Sequence, residues 1–248
     1  MLALTPTVQA GGNGKITIIG TGGASAATST HGIGIFNGTV STNNGDITMT
    51  GAAGGQTASP GSYGIAQGAT VTAGGSGNVT FTADSMALGA ASAAGDTITT
   101  RQRAAGTPLN LGTTDILTGT PTLGLFSAEV ASLACATLNI GNASTGPITA
   151  TSFVSFGSTT GLVNITSAGA NDINAGQFNC PTGANIKLTA GGAGVIPALP
   201  FYDVDTNLAG TLSFGSGTQL SIAINGNAFN SGYQVLDLRS RVDLTGMP

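Results

Sequence analysis

The amino-acid sequence predicts an all-β chain wound as a parallel β-helix with three short strands per coil, and three observations carry that prediction. A motif recurs with offsets of 31 and 32 residues: Gly14-Lys15-Ile16-Thr17-Ile18 returns as Gly45-Asp46-Ile47-Thr48-Met49 and as Gly77-Asn78-Val79-Thr80-Phe81. A second set keeps the same beat, His31-Gly32-Ile33 with Tyr63-Gly64-Ile65 and Thr39-Val40-Ser41 with Thr70-Val71-Thr72. The recurring pieces are short runs rich in β-branched residues, with glycine at their borders. Such units cannot bury an apolar face alone, so each stacks on the next.

Within residues 11–83 each repeat reads as three strands and one long turn. In the second repeat the strands are 33–36, 39–41 and 46–50, and the turn is 51–63, punctuated by Gly51, Gly54, Gly55, Pro60 and Gly61. Ile47 and Met49 alternate with Thr48 and Thr50, which sends the apolar pair inward and the threonines outward. Stacking at about 4.8 Å then builds interior columns Ile16-Ile47-Val79 and Ile18-Met49-Phe81, with Thr17-Thr48-Thr80 outside. The turns at 24–30 and 52–62 fill one slot in successive repeats and are expected to protrude from one edge, mobile and open to proteases.

Residues 84–121 break the beat. The Ala-rich stretch 86–94 and the stretch 101–106 read as an irregular coil or connection. Later strands are expected at 109–111, 137–140, 147–150, 162–166, 186–189, 212–214, 220–224, 235–238 and 242–244, in coils of about 20 to 25 residues. Residues 125–134 read as a short helical turn with Ser127 as its N-cap. The chain therefore divides into 1–83, 84–121 and 122–248, the last continuing the same solenoid with shorter coils.

Composition narrows the function. Charged residues make up 6% of the chain, against roughly 25% in an ordinary domain. Residues 16–45, 47–83 and 130–171 carry no Asp, Glu, Lys or Arg, so Thr, Ser and Asn must supply the polar surface. A net charge of −4 with six scattered basic residues disfavours nucleic acid, because phosphate binding needs clustered cations. Arg101/Arg103 and Arg239/Arg241 are pairs rather than patches. No apolar run approaches the ~20 residues of a membrane span. Residues 1–10 lack the basic and apolar regions of a signal peptide. Cys135 and Cys180 form no C-x-x-C pair and lie far from His31, so zinc is not expected. Two buried thiols are favoured over a disulfide.

Several longer runs resemble a family. Gly32-Ile33, Thr39-Val40-Ser41 and Asn44-Gly45-Asp46-Ile47-Thr48-Met49-Thr50-Gly51 look like coils of very large bacterial surface proteins of the filamentous-haemagglutinin type. Phe126-Ser127-Ala128-Glu129-Val130-Ala131, Ala136-Thr137-Leu138-Asn139-Ile140-Gly141-Asn142 and Gly146-Pro147-Ile148-Thr149 are similar to another coil type of those proteins. The run 217–226, with Tyr233 and Val242-Asp243-Leu244-Thr245-Gly246, resembles the strand repeats of autotransporter passenger domains. The resemblance implies a right-handed parallel β-helix displayed on, or secreted from, a bacterium. It also implies that this chain is a segment of a longer protein, because the family's export signal and anchoring domain have no counterpart in it.

Candidate chemistry is sparse. Gly11-Gly12-Asn13-Gly14, Gly74-Gly75-Ser76-Gly77 and Gly191-Gly192-Ala193-Gly194 open like the G-G-x-G-x-D calcium repeat. Ile16, Val79 and Ile196 stand where its Asp should be, which removes the hard oxygen ligand and leaves a glycine corner. Asp203 and Asp205 are the closest acid pair and, two apart on a strand, share a face. Polysaccharide-cleaving enzymes need clustered carboxylates, yet a solvated loop explains this pair better. His31 reads as a loop-end ring stacking on Tyr63. Thr48/Thr50 and Thr80/Thr82 raise an ice-binding threonine array, but the first coil already gives Thr17/Ile19. Asn37, Asn78, Asn142 and Asn164 head Asn-x-Ser/Thr triplets, as chance allows in an Asn- and Thr-rich chain. The expectation is a non-enzymatic structural or adhesive rod with no catalytic, cofactor or metal residues. Its partners would be copies of itself, further chain, or a cell surface or glycan. A carbohydrate-active β-helix enzyme is the alternative and an ice-binding solenoid a minor one. Convergence of acids around Asp203 and Asp205 would favour the enzyme.

Overall fold

The computed structural model describes residues 7–23, 30–54, 61–89, 93–117, 121–150, 152–169, 171–192, 194–197, 201–205, 210–220, 235–238 and 241–245. Most of the two long turns, and residues 221–224, lie outside them. Among the described residues the chain is all-β apart from one short helix, and glycine corners interrupt many of its apolar runs. The first three passes of chain are β1 (Thr7–Ala10), β2 (Ile16–Thr21) and β3 (Ile33–Ile35); β4 (Thr39–Thr42), β5 (Ile47–Ala52) and β6 (Ile65–Gln67); and β7 (Thr70–Ala73), β8 (Val79–Thr82) and β9 (Met86–Leu88). A fourth pass holds β10 (Ala93–Arg101), β11 (Leu109–Leu111), β12 (Leu123–Leu125) and α1 (Ser127–Ala131). Next come β13 (Leu133–Gly141), β14 (Ile148–Ala150) and β15 (Val154–Ser155), then β16 (Thr159–Thr166), β17 (Ile173–Ala175) and β18 (Phe178–Asn179). The last are β19 (Asn185–Thr189), β20 (Val195–Pro197) and β21 (Phe201–Asp205), then β22 (Thr211–Phe214), β23 (Val235–Leu238) and β24 (Arg241–Asp243).

Each pass pairs in parallel with the next. The long sheet runs β1-β4-β7-β10-β13-β16-β19-β22-β24 and also holds β2, β5 and β8. The other sheets are β3-β6-β9, β12-β11-β14-β17-β20 and β15-β18-β21-β23. This is an architecture of stacked parallel strands, consistent with a β-solenoid. The expected columns form: Ile16, Ile47 and Val79 are register partners, as are Ile18, Met49 and Phe81. The first column continues through Ile98, Leu138, Val163, Ile186 and Leu212 to Val242. Thr17, Thr48 and Thr80 stand beside it on the outer face, followed by Thr99, Asn139 and Asn164. The Asn164 side-chain amide donates to Asn139 Oδ1 at 2.8 Å, so the outer column is itself laddered.

Residues 84–121, read from sequence as an irregular coil or connection, contain strands in register with their neighbours. Met86 and Leu88 pair with Ile65 and Gln67. The start of β10 pairs with β7 and its end with β8. Two strands that met at the corner 74–78 become one, because Ala93-Ala94-Gly95-Asp96-Thr97 runs straight where earlier passes turn. β13 and β16 keep the single long strand, whereas β19 and β22 continue only its second half. The helix also differs from expectation. Ser127 is its first residue and Phe126 occupies the cap position. Ser127 Oγ instead accepts the Ser155 N–H at 3.0 Å, so a contact between passes wins over the local cap.

Corners are held by polar ladders. Lys15 Nζ meets Asp46 Oδ2 at 2.7 Å, Asp46 Oδ1 accepts the Asn78 backbone and amide N–H groups, and Asn78 Oδ1 accepts the Thr97 N–H. Hydrogen bonds from Lys15, then Asn78, hold the Asp46 carboxyl below its usual range. Gly45 is obligatory by space, since a Cβ there would lie 1.9 Å from the Gly14 carbonyl oxygen. Thr100 is an interior position that breaks the apolar pattern: it follows Phe81 in its column, is fully buried, and its Oγ1 has no partner. Replacing it with the isosteric valine removes an unpaired polar atom. Urea unfolding should show Thr100→Val more stable by about 1 kcal/mol, and Leu138→Ala less stable by about 2–5 kcal/mol.

Candidate functional site

Among the described residues, those singled out from the sequence form no single cluster, although the register brings a third aspartate, Asp237, opposite Asp203. Asp203 and Asp205 lie on β21, where the register pairs Asp203 with Asp237 and Asp205 with Asn179. His31 is half-buried and stacks on Tyr63, with centroids 5.8 Å apart and planes at 8°, while Phe36 tilts against its ring. His31 Nδ1 accepts the Tyr63 N–H at 3.1 Å, and burial lowers its pKa, so the ring sits neutral in a packing role. Cys135 and Cys180 are both buried. Burial raises the Cys135 thiol, which lies 3.8 Å from Thr159 Oγ1.

The three glycine runs share one geometry. In each, the fourth residue's N–H bonds the first residue's carbonyl, and Gly12, Gly75 and Gly192 take φ of 57°, 55° and 53°. That left-handed conformation is why glycine recurs there. Ile16 and Val79, at the calcium-repeat Asp positions, point into the core. Among the described residues no three His, Cys, Asp or Glu side chains gather to hold a metal. The threonine array ends at its second coil: the next pass supplies Thr99 and Arg101, and Arg101 Nε donates to Thr82 Oγ1 at 3.2 Å. Of the Asn-x-Ser/Thr asparagines, Asn78 and Asn164 spend their amides on ladder bonds, and Asn142 Oδ1 accepts from Ser144 and Gln102.

A pair the sequence did not single out is the most unusual polar feature. In a parallel sheet alternate residues address opposite neighbours. On β9, Ile65 and Gln67 of β6 are bonded to Ser85 and Gly89, so the N–H groups of Met86 and Leu88 face away from β6. Among the described residues no strand lies beyond β9 in its sheet. Asp115 Oδ2 accepts the Met86 N–H at 2.8 Å and Glu129 Oε1 accepts the Leu88 N–H at 2.8 Å. Their second oxygens are also taken: Asp115 Oδ1 by the Gly124 N–H at 2.6 Å, Glu129 Oε2 by the Phe126 N–H at 2.7 Å. Two side chains thus stand in for a missing strand.

Burial dominates the chemistry of this pair. It pushes Asp115 up to about 7 against the pull of its two backbone donors, and the neighbouring Glu129 charge adds to the rise. Glu129 is raised by burial as well. The Tyr63 hydroxyl is raised by burial and by both carboxylates. Raised, interacting carboxyls mark many acid–base sites, but here all four oxygens already hold backbone donors. The arrangement can store a proton and close a sheet edge; it leaves no oxygen without a backbone bond to meet a substrate.

Glu129 is the chain's only glutamate and Asp115 is followed by Ile116-Leu117, the available sequence hints of an isolated acid in an apolar setting. Their partner amides lie 41 and 29 residues away, invisible without the stacking register. Comparison with family models, curated proteins and solved structures finds no match to this chain. Truncating Glu129 strands two backbone donors, so Glu129→Ala should lose about 3 kcal/mol in urea unfolding. Glu129→Gln keeps one acceptor and should lose clearly less.

Proposed function

We propose that the chain is a rigid, non-enzymatic segment of a bacterial cell-surface or secreted protein, a right-handed parallel β-helix that serves as a structural or adhesive rod. The observation that supports this most is the interior column from Ile16 to Val242, unbroken from the second strand to the last. An architecture that spends its apolar residues on one continuous stack makes length and stiffness its product. The weakly charged, hydroxyl- and amide-rich flanks suit packing against copies or glycans rather than phosphate. The resemblance to haemagglutinin-type coils points to the same setting.

Association should occur at the ends. β1, β2 and β3 are paired on one side only among the described residues. Val8, Ile18, Ile33, Ile35, Phe36 and Val40 line an open groove there, with Val8 47% and Phe36 58% exposed. Unpaired strand edges with apolar floors recruit further strands. The isolated 248-residue chain is expected to form end-to-end oligomers in sedimentation velocity. Val8→Asp, or a proline within Arg241–Asp243, should shift it toward monomer. A clean monomer at high concentration with intact β-sheet signal would refute the assembly.

The second reading is a carbohydrate-active enzyme. It draws on the register of Asp203 with Asp237, two aspartate positions one strand spacing apart. Polysaccharide turnover that disappears on replacing Asp203 and Asp237 with Asn would favour it over the rod.

A further inference from the structure

The Asp115–Glu129 pair does more than satisfy donors. Its two carboxyls tie four backbone amides of two stretches together: Met86 and Leu88 on β9, and Gly124 and Phe126 where β12 runs into α1. The Met86 and Leu88 nitrogens sit two residues apart on one strand, so the carboxyls they hold are separated by only about 6–7 Å. Among the described residues no Lys or Arg faces them; Tyr63 is the remaining titratable neighbour, with His31 stacked behind it. Two negative charges so placed, largely out of water and without a cation, oppose each other and the burial that holds them.

We propose that Asp115 and Glu129 form a proton-operated latch: with one proton on the pair, α1 and the Asp115 loop stay clamped on the outer edge of β9, and ionisation of both carboxyls loosens the clamp. The sign follows from linkage. Asp115 is raised in the closed state, from 3.8 to about 7. The closed state therefore binds a proton that the open state releases, and its stability is lost as pH rises through 7. Opening leaves Met86 and Leu88 as bare donors on a sheet edge, the surface to which extended chains add. Acid would keep this rod shut, whereas most carboxylate ladders, Asp46 among them, weaken in acid.

Hydrogen exchange on the full chain, read at single amides and corrected for the intrinsic pH dependence of exchange, tests the latch. The opening constant at Met86 and Leu88 should rise by up to about tenfold per pH unit between pH 5 and 7 and level off above. Amides of β13 and β16 should show no such rise. In Asp115→Asn the rise should vanish. In Glu129→Gln, which removes the neighbouring charge, levelling off should begin at lower pH, and this variant serves if Asp115→Asn fails to fold. An opening constant that is flat with pH at Met86 and Leu88, or a rise shared by the whole chain, would overturn the proposal.

Discussion

The fold rests on one constraint: residues in the same slot of successive passes sit one strand spacing apart and must tolerate each other. Apolar slots meet this easily, since Ile, Val, Leu and Met interchange on a pleated surface. Polar slots need a directional answer, and the chain supplies two. Alike groups ladder when they are neutral, as Asn139 and Asn164 do. Charged groups are spaced by an opposite or neutral partner, as Lys15, Asp46 and Asn78 are. Like charges rarely follow one another in a column, the register of Asp203 with Asp237 being an exception, and long stretches of the sequence carry no charge at all. The low charge content is then a consequence of the stacking as much as a surface property.

How much of this was legible in the sequence follows from the same constraint. Ile16, Ile47 and Val79 announce their column because the repeat is written in consecutive copies. Met86 and Leu88 belong to an equivalent column, but the Ala-rich run that follows hides it, and the corner whose glycines mark the beat is gone by β10. The helix near residue 127 was visible from its composition, yet the role of Ser127 was not, because its hydroxyl is claimed by Ser155 from the next pass. Asp115 and Glu129 were unreadable for a stronger reason: their partners are backbone amides, which have no sequence signature. A carboxylate that recognises a strand edge is specified by where other strands stop, and that is known only after every pass has been placed.

The switch between the two halves is concentrated around the fourth pass. There two strands become one, one sheet ends and two others begin, and the helix and the two half-buried carboxyls sit at that junction. These features have a common cause. When the cross-section changes, the sheet β3-β6-β9 has no successor strand among the described residues, and its outer donors meet partners of another kind. The structure meets that requirement with side chains carried by the newly inserted chain, so the electrostatically most unusual place is also the topological seam.

The seam has a kinetic meaning as well. The first three passes are nearly interchangeable, and a folding chain that omitted one of them would bury almost the same columns. Mispairing of this kind, by a whole repeat, carries little enthalpic penalty and leaves no local sign of error. β10 is different because it must satisfy β7 and β8 together, at the offset set by their connecting corner. A chain that had skipped a pass would still meet this double test, but one that paired β10 with strands from two different passes would fail it. The fourth pass thus fixes the relative placement of the two strands before it, because only one offset lets β10 pair with both.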